Sequence, residues 1–105
     1  DLGNSGATWS DANQALYAID GNTSKLYQVD PGNAGLSELA TLGIDFLGVG
    51  IELHPGNGTL YTCTKTTLYA VDPDTGQADA VGTISTDNCN NLAAPYTKIT
   101  CPNWP

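Results

Sequence analysis

The sequence contains no methionine, no arginine, three lysines and a single histidine. Eleven carboxylates face those three lysines, giving a formal net charge of −8. A phosphate-binding surface needs a basic face, so nucleic acid is not an expected partner. An anionic membrane surface is disfavoured for the same reason, and no apolar run is long enough to insert. Methionine is missing even at position 1, which reads as an end left by processing. No segment carries a helical period. The stretch 36–42 is the nearest to one, but its counterpart at 78–84 holds Val81, Gly82 and Ile84, which favour a strand.

Catalytic machinery is also missing. The only histidine, His54, stands before Pro55 without a Gly-x-Ser-x-Gly elbow or a cluster of metal ligands. Asp45 and Glu52 could form a carboxylate pair, but nothing in the sequence sets them opposite each other. Asp72, Asp74 and Asp79 surround one Asp-Pro turn, and Asp-x-Asp-x-Gly is a fragment of a calcium loop without its later bidentate glutamate. An ordinary turn is the simpler reading. We therefore expect no catalytic residue, no metal and no cofactor.

What is present is said nearly twice. Leu16-Tyr17-Ala18-Ile19-Asp20 precedes Leu26-Tyr27-Gln28-Val29-Asp30-Pro31, and Leu60-Tyr61-Thr62-Cys63 precedes Leu68-Tyr69-Ala70-Val71-Asp72-Pro73. The spacing between copies is 42–44 residues, the length of one four-stranded propeller blade. Apolar and polar residues alternate, as in half-buried strands. First strands are expected at 6–9 and 50–53, second at 16–20 and 60–63, third at 25–30 and 67–72, outer at 37–42 and 78–84. Pro31, Pro55 and Pro73 fall in the turns. The predicted fold is all-β: two four-stranded antiparallel blade-like repeats at about 6–43 and 49–85, in one domain spanning 1–105. An incomplete third unit beginning near Asn88 and an extended tail fill 86–105. Leu16, Ile19, Leu26, Val29, Val49, Leu60, Leu68 and Val71 are expected to pack the units together.

These phrases resemble the "LYxID … LYxVDPxTG … VG" repeats of secreted and cell-surface propeller proteins, a grammar shared with quinoprotein-like propellers. The likeness covers roughly 6–85 and implies fold more than function. It carries over no catalytic residue, and the 89–105 tail has no counterpart in the pattern.

Three cysteines in so short a chain favour an oxidising, extracellular or cell-surface location. Cys89 and Cys101 enclose a short loop, and joining them would stabilise the fold by about 3 kcal/mol. Cys63, at the repeat position of Ile19, is a buried thiol or an alternative partner for either. Asn22-Thr23-Ser24 and Asn57-Gly58-Thr59 are glycosylation sequons in predicted turns. Thr62, Thr64 and Thr66 alternate along a strand, as on a solvated face. The tyrosines recur in register, which suggests packing between units with each hydroxyl at a polar edge. Trp9 and Trp104 are the candidates for stacking on sugar rings.

Propellers close with four to eight blades, and two blades leave apolar flanks. The sequence thus predicts a non-catalytic extracellular structural protein whose partners are copies of itself, assembled head to tail into a fibre or ring by blade stacking or strand exchange. The alternative is an oligomeric two-blade lectin that binds glycans.

Overall fold

The computed structural model describes residues 4–11, 13–84 and 88–93. Eight strands form two separate antiparallel meanders, and there is no helix among the described residues. Unit 1 holds β1 (Ser5–Ser10), β2 (Ala15–Asp20), β3 (Lys25–Val29) and β4 (Leu36–Thr41). Unit 2 holds β5 (Gly50–Leu53), β6 (Leu60–Thr64), β7 (Thr67–Val71) and β8 (Ala78–Thr83). In each sheet the spatial order follows the chain. The two expected blade-like units are therefore present, with boundaries displaced by a residue or two.

The repeat extends to details that spacing alone does not specify. Asp30 and Asp72 each accept an N–H from two residues ahead, Gly32 at 2.8 Å and Asp74 at 2.9 Å. These Asx turns close the β3–β4 and β7–β8 hairpins in the same way. Each hairpin then carries a bulge at the same place. The extra residue is Leu39 in unit 1 and Val81 in unit 2.

Alternation gives each sheet two faces. Ala15, Tyr17, Ile19 and Leu26 lie on the front of unit 1, and Leu16, Val29 and Leu36 on its back with Trp9. The front of unit 1 packs on the back of unit 2, where Ile51, Leu53, Leu60 and Val71 are buried. β1 and β5 are neighbours across this contact. Gly6 makes their approach possible, because a Cβ there would stand 3.0 Å from the Ile51 side chain.

The connection after β4 completes the core. Leu42, Ile44, Phe46 and Val49 are buried, while Gly43, Asp45 and Leu47 point outward. This extended segment keeps a strand's period of two without joining either sheet.

Of the residues expected between the units, Ile19, Leu26, Val49, Leu60 and Val71 are in the core. Leu16, Val29 and Leu68 are only half-buried. The reason is geometric: two stacked units share one interface, so each covers one face and leaves the other open. Thr62 and Thr64 depart from expectation in the opposite sense. They are buried on the back of unit 2, where Thr62 donates to the Gly50 carbonyl at 2.7 Å and Thr64 accepts the Leu47 N–H at 2.8 Å. A hydroxyl so satisfied can be buried at little cost, and sequence alternation alone did not distinguish this from a solvated face.

The backbone turns left-handed at equivalent points, with Ala34 (φ 61°) matching Gly76 (φ 78°) and Gln14 (φ 50°) matching Gly58 (φ 72°). A Cβ on Gly58 would meet nothing, whereas one on Gly76 would stand 2.6 Å from the Ala40 Cβ of unit 1. Gly58→Ala should therefore cost only backbone strain, about 1 kcal/mol. Gly76→Ala adds a collision across the unit interface and should cost about 3 kcal/mol. Urea unfolding of both variants checks this, and equal costs would contradict the stacking described.

Candidate functional site

The back of unit 1 carries an apolar row in strict cross-strand register: Trp9 opposite Leu16, Leu16 opposite Val29, Val29 opposite Leu36. Trp9 is 39 % and Leu36 44 % exposed, with Leu16 and Val29 half-buried between them. The equivalent row of unit 2 is Leu53, Leu60, Val71 and Ala78. That row is covered by unit 1: Leu53, Leu60 and Val71 are at most 6 % exposed, and Ala78 packs against the same core. Beside the open row, Lys25 and Glu38 pair at 2.9 Å. The hydrogen bond to Glu38, and then its charge, holds the Lys25 ammonium above the usual lysine range.

The front of unit 2 is the second open surface. It holds a cavity of about 270 Å³ lined by Glu52, His54, Tyr61, Leu68, Val81, Leu92 and Ala93. The equivalent surface of unit 1 is covered. Tyr17 and Leu26 are buried and Leu39 packs against the core, whereas Tyr61 and Leu68 are half-buried and Val81 is 57 % exposed.

Of the polar groups around this cavity, His54 and Tyr61 are anchored to their own turn and Glu52 to β1 of unit 1. His54 Nδ1 accepts the N–H groups of Gly56 at 3.0 Å and Asn57 at 3.3 Å, so the ring organises its own turn. It meets Tyr61 edge-on at 6.5 Å. The Tyr61 hydroxyl accepts from Asn57 at 3.3 Å, as Tyr17 does from Asn13 at 3.1 Å. Glu52 accepts the Thr8 hydroxyl at 3.1 Å, and the same hydroxyl accepts the Leu53 N–H at 3.2 Å. Thr8 thus stitches β1 to β5 where no ladder joins the sheets.

The remaining sequence candidates do not converge. Asp45 pairs with Lys65 at 3.1 Å, away from the Thr8 contact that engages Glu52. Asp79 accepts from Gln77 at 2.8 Å. No group of three or more histidine, cysteine or acidic side chains among the described residues is gathered to hold a metal ion. Asn22 and Asn57 are both exposed in turns. Trp104 and Cys101 lie outside the described residues.

Cys89 is not joined to Cys101 as expected but to Cys63, with the two Cα atoms 5.7 Å apart. The reason lies in the path of residues 88–93. They run over the front of unit 2 much as 46–51 runs over the front of unit 1. A Cβ on Gly50 would stand 2.9 Å from the Asn91 nitrogen and 2.5 Å from the Cys63 sulfur. The Cys89 N–H donates to the Lys65 carbonyl at 2.7 Å. Residues 88–93 thus follow the route of a third unit's entry, but form no ladder.

Sequence reasoning missed Leu36, Val81 and the cavity residues Leu92 and Ala93. A position-by-position comparison of the two repeats would have raised 36 against 78 and 39 against 81. It would not have shown which member of each pair is covered.

Two stacked antiparallel units, one open face at each end and no gathered acid–base set among the described residues define a repeat module. Its sequence places it further: the profile of a domain-of-unknown-function family, DUF4394, matches residues 4–93, and the chain belongs to that family. No curated protein matches the chain.

The Cys63–Cys89 bond closes a loop with a sequence separation of 26 and holds 88–93 against unit 2. Reduction should lower stability by about 3 kcal/mol on the loop-closure argument. Chemical unfolding with and without reductant reads this, and coincident midpoints would contradict a structural role.

Proposed function

We propose that this chain is a non-catalytic structural module that works outside the cell and assembles with copies of itself into a fibre or ring. One observation carries the proposal. The apolar row that unit 1 covers on unit 2 recurs, bulkier, on the back of unit 1, where Trp9 and Leu36 are exposed. Exposed, ordered apolar surface of this kind marks a contact site. The buried Cys63–Cys89 bond supports an oxidising location.

The magnitudes say where to look. Fully burying a large apolar side chain contributes about 1.5–3 kcal/mol, and less for residues already half-covered. Association costs about 4–15 kcal/mol in lost freedom. Four such side chains, two of them half-buried, exceed the lower end of that cost by at most about 5 kcal/mol, which corresponds to a dissociation constant no tighter than about a tenth of a millimolar. Copies with a net charge of −8 also repel one another, and salt screens that repulsion.

A lectin finds less support. Trp9 is exposed enough to stack on a sugar, but Leu16, Val29 and Leu36 beside it offer no hydroxyl-binding groups.

Sedimentation velocity tests the proposal. Weight-average mass should rise between about 5 μM and 500 μM, and rise less at about 10 mM than at 150 mM salt. A single-chain mass throughout would overturn it.

A further inference from the structure

We propose that the contact between copies is heterologous and repeats the contact inside the chain. The row Trp9, Leu16, Val29 and Leu36 of one copy seats in the cavity on the front of unit 2 of the next. This rests on the self-assembly reading above and adds which surface meets which.

The internal interface supplies the template. On the covered side, Leu53, Leu60, Val71 and Ala78 are received by Tyr17, Ile19, Leu26 and Leu39. Advancing the receiving set by one repeat gives Tyr61, Cys63, Leu68 and Val81. Three of these line the open cavity, and Cys63 is capped by its bond to Cys89. The entering row and the receiving floor have changed size in opposite senses. On the row, leucine has become Trp9 and alanine has become Leu36. On the floor, Ile19 has become Cys63 and Leu39 has become Val81. A larger row meets a smaller floor, as close packing requires.

The rim has changed as well. His54 and Tyr61 form an edge-on aromatic pair where unit 1 has Ser10 and Tyr17. The internal register carries the entering Trp9 towards that rim, because Leu53 is the residue Trp9 replaces. Glu52 stands where Thr8 accepts the Leu53 N–H, so its carboxylate can accept the N–H of the incoming Trp9. Leu92 and Ala93 line the cavity where β5 residues Gly50 and Ile51 lie over unit 1, so the start of the incoming β1, Gly6 and Ala7, has to pass beside them while the row keeps the internal register.

A row-against-row contact would also hide the apolar surface, but it would leave the cavity empty and give only dimers. The two arrangements make opposite predictions for half-disabled copies. One variant carries Trp9→Asp and Leu36→Asp, which disables the row. The other carries Val81→Asp, which disables the receiving face. All three positions are solvent-exposed, so circular dichroism should show both variants folded, and Ala93→Asp serves as a second receiving-face variant.

We expect each variant alone to remain single-chain at concentrations where the unsubstituted protein assembles. Mixed in equal amounts, they should form a species of twice the chain mass and nothing larger, since each has one working face. Dimers of Val81→Asp alone, with no new species on mixing, would overturn the heterologous docking, and the fibre or ring with it, while leaving association between copies standing. Assembly unaffected by both Val81→Asp and Ala93→Asp would overturn it equally. An unsubstituted chain that never associates would remove the parent reading as well.

Discussion

Everything in this molecule depends on a property of sheets: a meander has two faces, and stacking two meanders covers only one face of each. The covered pair is closely fitted. Ile19, Leu26 and Leu60 are at most 1 % exposed, and Gly6 and Gly76 stand where any side chain would push the units apart. The two open faces carry the same row pattern with changed side chains, Trp9 for Leu53 and Leu36 for Ala78 on one, Cys63 for Ile19 and Val81 for Leu39 on the other, and both leave apolar side chains exposed.

The units are joined economically. No ladder runs from one sheet to the other. Thr8 links β1 to β5 through its hydroxyl, Thr64 accepts the Leu47 N–H of the connecting segment, and Thr62 donates to the Gly50 carbonyl at the start of β5. The alternating burial of 42–49 then fills the space between the sheets. Polar groups at such a contact fix register, while the area buried by leucine, isoleucine and tyrosine supplies most of the stabilisation. The Cys63–Cys89 bond does for residues 88–93 what that apolar segment does between the units. It holds an entry path in place where Asn88, Asn90 and Asn91 offer little to bury.

Much of this was legible from the chain. Eight strands, their order and their turns follow from the doubled Leu-Tyr and Asp-Pro phrases, because strand period and turn chemistry are local. The faces were not legible to the same degree. Leu16 and Leu60 occupy one repeat position, yet one is half-buried and the other buried, because burial depends on a neighbour that the strand itself does not encode. The threonines of β6 misled for the same reason. The cysteine pairing failed on distance along the chain: Cys101 is nearer in sequence to Cys89, but Cys63 lies beneath the route that Cys89 takes. The cavity at His54 and Val81 could not be read at all, since it is made of one unit's front and a segment that belongs to neither sheet.

The most direct test of the central claim is to image the protein at high concentration by electron microscopy. The account predicts rings or elongated particles in which the stacking step between chains matches the step between the two units within a chain. Solitary two-unit particles, or paired particles related by a twofold axis, would contradict it.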